Sequence, residues 1–151
     1  TQTGGRLKRI ENYLDDTFCL TYGDGVSDIN INHLIKLHQQ EGLEITISAV
    51  QPAGRFGSLS ISKNKVDKFL EKPKGDGQWI NGGFMVCEPS ILKRIKDDET
   101  ILEQGPLIGL ANDGKMAVKK HKGFWSPMDT LRDRNYLEEL WANNNAPWKI
   151  W

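Results

Sequence analysis

An α/β fold with a mixed, mostly parallel sheet is predicted by three features of the sequence. A strand–helix–strand unit opens the regular part of the chain, an acid sits in a glycine-framed loop where its first strand ends, and a pair of runs around a polar turn adds an antiparallel excursion. The 151 residues suffice for one domain, which at this size buries roughly 70% of the surface its unfolded chain exposes. A hydrophobic fraction of 38% beside 26% charged residues fits a soluble fold and argues against disorder. Twenty basic side chains balance twenty acidic ones, so the basic footprint of a nucleic-acid partner is missing. No apolar run is long enough to cross a bilayer, and the opening T-Q-T-G-G-R-L-K-R-I lacks a secretory signal's hydrophobic stretch. The expectation is a cytoplasmic protein without a membrane partner.

The elements follow in order. Phe18 to Tyr22 is a β-type run that stops at Gly23-Asp24-Gly25. Asp28 or Asn30 caps a helix in which Ile31, Leu34, Ile35 and Leu37-His38 recur with helical spacing until Gly42. Ile45 to Val50 is the second strand, expected to lie parallel to the first, which places Asp24 at the carboxyl end of its strand, where open α/β sheets hold ligands. Phe56–Ile61 and Val66–Glu71 flank the polar turn Ser62-Lys63-Asn64-Lys65, and Lys72 to Gly77 is a loop because of its proline and glycines.

Ile80 to Cys87 is an apolar strand broken only by Asn81, with Gly82-Gly83 admitting a close approach. Pro89 opens a helix carrying Ile91, Leu92 and Ile95. Thr100 and Glu103 have capping-box spacing for a helix through Leu107, Ile108, Leu110 and Ala111, though Gly105-Pro106 leaves its start open. Met116 to Lys120 is a half-buried or edge strand, and Thr130 with Asp133 caps a last helix whose Tyr136, Leu137, Leu140 and Trp141 form one stripe ending in Asn143–Asn145. Near the amino end, Lys8 to Leu14 is helix-like, and no strand feeds the Gly4-Gly5 pair. Cys19 and Cys87, each inside an apolar run, are expected to be buried free thiols. The histidines lack zinc-site spacing.

Three features carry chemistry. Asp24 is either a turn former or a ligand; Asp129, after a rigid aromatic-proline segment, is either a helix cap or a ligand; Glu71-Lys72 is either a solvated pair or a phosphate contact. Two aspartates on preorganised turns could hold Mg²⁺ through hard oxygens while a lysine neutralises a phosphate, the minimum for phosphoryl or nucleotidyl transfer. Gly82-Gly83 either relieves crowding or admits a ligand, and the five Trp are read as packing anchors. The P-loop, dinucleotide and nucleophile-elbow motifs are missing.

The ordered set T-G-G-R-L, Y-G-D-G-V-S-D, P-A-G-R-F-G, F-L-E-K-P-K-G-D-G, I-N-G-G-F and G-F-W-S-P-M-D-T-L-R-D, closing with A-P-W-K, resembles the sugar-1-phosphate nucleotidyltransferases and, among them, the glucose-1-phosphate cytidylyltransferases. The resemblance covers essentially the whole chain. It implies a Rossmann-like nucleotide-diphospho-sugar transferase fold and conversion of CTP and α-D-glucose 1-phosphate into CDP-glucose and pyrophosphate. It further implies that Asp24 and Asp129 are Mg²⁺ ligands, that Lys72 contacts the sugar phosphate, and that Glu71 accepts from sugar hydroxyls. Asn81, Gly82 and Gly83 resemble the wall against the hexose, and Thr3, Gly4, Gly5 and Arg6 the base side of the nucleotide; Tyr22 and Trp125 shape the pocket.

Family members open with a strand and a G-G-x-G-T-R-L-type loop around the triphosphate, followed by a K-P-K-type segment. This sequence lacks that opening strand and loop with its following K-P-K-type segment; its own Lys72-Pro73-Lys74 belongs to the later E-K-P-K loop. The chain therefore resembles the carboxyl-terminal portion of such an enzyme, with the missing amino-terminal portion as a partner. Alone it is expected to bind nucleotide weakly and turn over little. Unpaired strand edges invite self-association, the family implies a homo-oligomer, and Trp148 to Trp151 is a plausible interface element. A non-catalytic sugar-nucleotide-binding module of the same fold is the rival reading.

Overall fold

The computed structural model describes residues 1–54, 57–74 and 78–151. In chain order the elements are α1 (Thr3–Arg9), β1 (Phe18–Thr21), β2 (Gly25–Ser27), α2 (Ile31–Glu41), β3 (Ile45–Val50), β4 (Ser58–Ser62), β5 (Lys65–Leu70) and β6 (Ile80–Cys87), then α3 (Pro106–Asn112), β7 (Met116–Lys120), β8 (Trp125–Pro127) and α4 (Leu131–Ala142). Short 3-10 helices occupy Glu11–Tyr13 and Pro89–Arg94. The chain packs as two compact units, one of Thr1–Thr21, Asn30–Ser48 and Gly83–Lys119, the other of Tyr22–Ile29, Ala49–Gly82 and Lys120–Trp151.

The first unit is built on a sheet of strand order β1-β6-β3-β7. β6 runs antiparallel to β1, Phe18 opposite Cys87 and Thr21 opposite Phe84. Glu88 N–H donates to Glu44 C=O and Phe84 N–H to Ser48 Oγ, so residue numbers descend on one strand as they rise on the other and β6 is antiparallel to β3 too. Lys115 C=O accepts from Ile45 N–H and Ala49 C=O from His121 N–H, a rising register that makes β7 parallel to β3. β1 and β3 thus share a direction, but they are not the neighbours the strand–helix–strand pattern predicts, because β6 lies between them. Burial explains the insertion. Met85, Val86 and Cys87 of β6 are all at most 1% exposed, as a central strand covered on both faces requires, whereas β1 alternates half-buried and exposed residues like an edge.

That edge position corrects the expectation for Cys19, which is exposed, while Cys87 is buried; both are free thiols. Leu34, Ile45, Ile91, Leu102 and Leu110 complete the core. α2 starts at Asn30, whose side chain accepts from His33 N–H at 3.0 Å, and ends at Gly42 in the left-handed conformation, φ +60°. Asp28 therefore does not cap it.

Three local expectations change. α1 begins at Thr3 rather than Lys8, with the glycine pair inside it; a Cβ on Gly5 would lie 2.4 Å from Asp98 O and one on Gly4 2.7 Å from Thr100 O, so only glycine lets the helix lie this close to the 98–100 backbone. Pro89–Arg94 forms a 3-10 helix that still buries Ile91 and Leu92. The Thr100–Glu103 box does not form: Thr100 Oγ1 accepts from the Lys96 and Asp97 N–H groups, Glu103 accepts from Thr3, and α3 starts at Pro106, where a missing N–H costs nothing.

In the second unit β4 and β5 form a two-stranded antiparallel hairpin, with Leu59 opposite Phe69 and Ser62 opposite Lys65. The connecting turn is Lys63-Asn64, narrower than the four polar residues suggest, with Lys63 at φ +53°. The expected strand start at Phe56, Arg55 of the P-A-G-R-F-G motif and Gly75, Asp76 and Gly77 of the loop lie outside the described residues. α4 has the predicted capping box: Thr130 Oγ1 accepts from Asp133 N–H and Asp133 Oδ2 from Thr130 N–H. Of its apolar stripe only Leu137 is buried. None of the five tryptophans is fully buried; Trp148 packs its ring on Phe124 at 5.4 Å, and Trp141 and Trp151 are exposed. The anchoring role expected of them is partial. Among the described residues no helix is long and apolar enough to cross a membrane.

Candidate active site

The second unit holds a two-stranded ribbon that sequence periodicity does not show. β2 pairs antiparallel with β8, Gly25 opposite Pro127 and Ser27 opposite Trp125. Beyond the last paired residues, Asp24 C=O accepts from Met128 N–H at 2.7 Å. Asp24 and Asp129 therefore leave the same end of the ribbon from opposite strands. Asp129 is not the helix cap, since Thr130 takes that place. The capping box instead fixes the backbone immediately after Asp129, and the ladder fixes it immediately before.

Both aspartates line one cavity of about 250 Å³ together with Tyr22, Asn81, Gly82 and Trp125. Gly25 and Pro127, read from sequence as a loop glycine and part of the rigid aromatic-proline segment but not as site residues, complete its wall. Asn81 Nδ2 donates to Tyr22 Oη at 3.4 Å, and Trp125 Nε1 donates to Gly82 C=O at 2.8 Å, so the polar groups of the wall are tied to one another. Gly82 has no side chain to fill the space. Gly83 is not part of the cavity wall; its φ of +76° is the reason for glycine there.

Glu71 and Lys72 do not line the cavity. They follow β5 in an exposed stretch, with Lys72 Nζ 3.8 Å from Glu71 Oε1. Lys72 has a left-handed backbone, φ +44°, and a Cβ on Gly54 would lie 2.2 Å from Pro73 O and 2.5 Å from Lys72 C. The described part of the P-A-G-R-F-G motif is thus seated on the E-K-P segment. Thr3, Gly4, Gly5 and Arg6 belong to α1 of the first unit. There Thr3 Oγ1 donates to Glu103 Oε2 at 2.7 Å and accepts from Leu102 N–H at 2.9 Å, and Arg6 is exposed.

Two carboxylates on rigid backbone suit a hard divalent cation such as Mg²⁺, which takes one or two protein carboxylates and fills its octahedron with water and substrate phosphate. Among the described residues no group of three or more His, Cys, Asp or Glu is gathered to hold a metal, so an all-protein cage of the zinc type has no counterpart here. Of the histidines, His38 is hydrogen-bonded to Thr46 and Glu88, and His121 to Asp28.

Residues 5–130 match the sequence profile of the nucleotidyl transferases. The chain belongs to the nucleotidyl transferase family. It is 51% identical over 153 aligned positions to the glucose-1-phosphate cytidylyltransferase of Salmonella typhi, covering 100% of this chain and 60% of that protein. A mannose-1-phosphate guanyltransferase of Emericella nidulans is 31% identical, over 89% of this chain and 39% of its own length. Among solved structures, HddC from Yersinia pseudotuberculosis superposes with a TM-score of 0.64 at 21% identity, over 93% of this chain and 62% of that one. The fold is the Rossmann-like α/β fold of these transferases, with a mixed sheet. The chain spans about 60% of the length of the Salmonella relative.

Proposed function

We propose that the protein containing this chain transfers a cytidylyl group from CTP to α-D-glucose 1-phosphate, and that the chain supplies the metal- and sugar-phosphate-binding part. The observation that carries the reading is the convergence of Asp24 and Asp129 on one cavity whose remaining wall holds Asn81 and Gly82. The 51% identity to a cytidylyltransferase supports CTP and glucose 1-phosphate over the guanylyl and mannosyl pair of the more distant relative.

An oxygen of the sugar phosphate attacks the α-phosphorus of CTP, and the bond to pyrophosphate breaks on the opposite side, giving CDP-glucose and pyrophosphate. No covalent adduct with the protein is needed, because placement and charge compensation supply the rate. Asp24 and Asp129 would hold Mg²⁺, which when bound offsets the negative charge of the nucleotide phosphates. Asn81 and Tyr22 present polar groups to the hexose, and Gly82 leaves room for its ring. Lys72 carries an exposed cationic head for the sugar phosphate, and Glu71 beside it accepts from a sugar hydroxyl. Thr3 to Arg6 serve the base side, and Trp125 holds the wall. The partners proposed are the nucleotide-binding portion of the same enzyme and further copies of it.

Magnesium-dependent pyrophosphate release from CTP and glucose 1-phosphate, measured on the whole enzyme, tests this. Asp24→Asn and Asp129→Asn are each expected to lower kcat/KM by about 100-fold or more. Undiminished turnover in both variants overturns the assignment, and metal-independent sugar-nucleotide binding without turnover in the parent would identify a binding module instead. The 151-residue chain by itself is expected to turn over little.

A further inference from the structure

At the end of the β2–β8 ribbon away from the aspartates, a set of polar groups converges on one carbonyl. Phe124 C=O accepts from Ser27 Oγ at 2.7 Å, from Asp28 N–H at 3.2 Å and from His121 Nε2 at 3.2 Å. His121 Nε2 also lies 2.8 Å from Asp28 Oδ1. Both partners of Nε2 are oxygens that only accept in these contacts, so the imidazole carries a proton there. Ser27 Oγ in turn accepts from Ile29 N–H at 3.2 Å. The His121 backbone is itself anchored, its N–H donating to Ala49 C=O at 2.8 Å. Packing leaves no slack: a Cβ on Gly123 would lie 2.5 Å from Asp28 Oδ1 and 2.7 Å from His121 Cε1.

A two-stranded ribbon of three residue pairs does not hold its own register in water. Its aspartate end carries the backbone hydrogen bond from Met128 to Asp24 and adjoins the α4 cap. The opposite end carries the His121–Asp28 clasp. His121 and Asp28 line no part of the cavity, and the mechanism above makes no use of either.

We propose that His121 and Asp28 are positioning residues: by clasping Phe124 they fix the register of the ribbon and thereby the mutual placement of Asp24 and Asp129. The metal half of this inference rests on the proposed function, while the ordering of the ribbon does not. Three variants perturb the clasp independently. His121→Phe removes the donor at similar volume, Asp28→Ala removes the acceptor, and Gly123→Ala intrudes on both. His121→Gln, whose amide retains a donor, is the conservative rescue.

The test uses the whole chain and two readouts. Amide hydrogen exchange at Met128 reports the aspartate end of the ribbon, and paramagnetic broadening by Mn²⁺ of the Gly25 and Met128 amide signals reports cation binding between the aspartates. In His121→Phe, Asp28→Ala and Gly123→Ala, Met128 exchange is expected to rise about 10-fold relative to the core amides of β6, and Mn²⁺ affinity to fall about 10-fold. His121→Gln should restore most of both. Should His121→Phe or Asp28→Ala lose the fold altogether, Gly123→Ala, which keeps both clasp side chains, and His121→Gln, which keeps a donor, still rank the effect. Unchanged Met128 exchange in all three perturbing variants overturns the proposal. Accelerated exchange together with a parent that shows no Mn²⁺ broadening sustains the clasp and removes the metal reading of Asp24 and Asp129. Equal loss of protection throughout the chain, with Met128 no more affected than β6, reduces the clasp to general stability and overturns positioning.

Discussion

The two cysteines differ in reactivity because of where they lie on adjoining strands. Cys87 sits on the central strand and burial, aided by the nearby Cys19 and Glu88, pushes its thiol up to about 12, so it is protonated and shielded at neutral pH. Cys19 lies on the exposed face of the edge strand. Iodoacetamide on the folded chain should therefore add one group, at Cys19, and two after denaturation, as read by mass spectrometry. The same thiols show how far a run of apolar letters can be read. Both segments are strand-like, and nothing local in F-C-L-T distinguishes an edge from a centre, because that depends on which strand is inserted beside it. Glycines are similarly silent in sequence. Gly5 and Gly83 look alike, yet one admits the 98–100 backbone and the other a left-handed φ of +76°. Gly5→Ala must displace backbone rather than a flexible side chain and should cost about 1–3 kcal/mol in chemical denaturation. A loss confined to nucleotide affinity, with stability intact, would mean that α1 does not depend on this close approach.

At the level of elements, the readable ones have chemically explicit ends. α2 announces itself through Asn30 and Gly42, and α4 through Thr130 and Asp133, because a capping side chain must lie at a fixed offset from the N–H it satisfies. The β2–β8 ribbon has no such signature. Three residues a side give too few alternations for a period, and its partner lies near the other end of the chain. Six of the eight residues lining the cavity were legible as motifs, Asp24 and Asp129 among them, but their meeting depended on a pairing that only the folded chain displays. The α4 cap offers a way to separate helix stability from site geometry. Thr130→Ala should lower stability by about 1 kcal/mol in thermal or denaturant unfolding, since it leaves the Asp133 N–H without its acceptor. Thr130→Ser, which keeps the hydroxyl, should recover most of that. If the alanine variant is as stable as the parent, the box contributes nothing beyond what water supplies.

For the molecule as a whole, acid is the condition that reads out its charged contacts. Glu44 is held below the usual carboxylate range, first by the hydrogen bond from Lys115, then by Ser90 and the charges of Lys115 and Arg94, with burial opposing. Glu88 is lowered by hydrogen bonds from Thr17 and then from His38. These two carboxylates belong to residues that meet at one end of the β3–β6 pairing, where Glu88 N–H donates to Glu44 C=O. A carboxylate whose pKa is depressed by folding contributes stability that is fully present above the unfolded value, about 4.3 for Glu, and is lost as pH falls through the folded value. Urea unfolding should therefore show the chain losing stability steadily below about pH 4.3 while changing little from there to pH 7 on account of these groups. Glu44→Gln keeps an acceptor for Ser90 but forfeits the charge facing Lys115 and Arg94. It should be about 1 kcal/mol less stable than the parent at pH 6, with the difference closing toward pH 3. A gap that stays constant over that range would mean that the contact acts through shape and hydrogen bonding rather than through the ionised carboxylate.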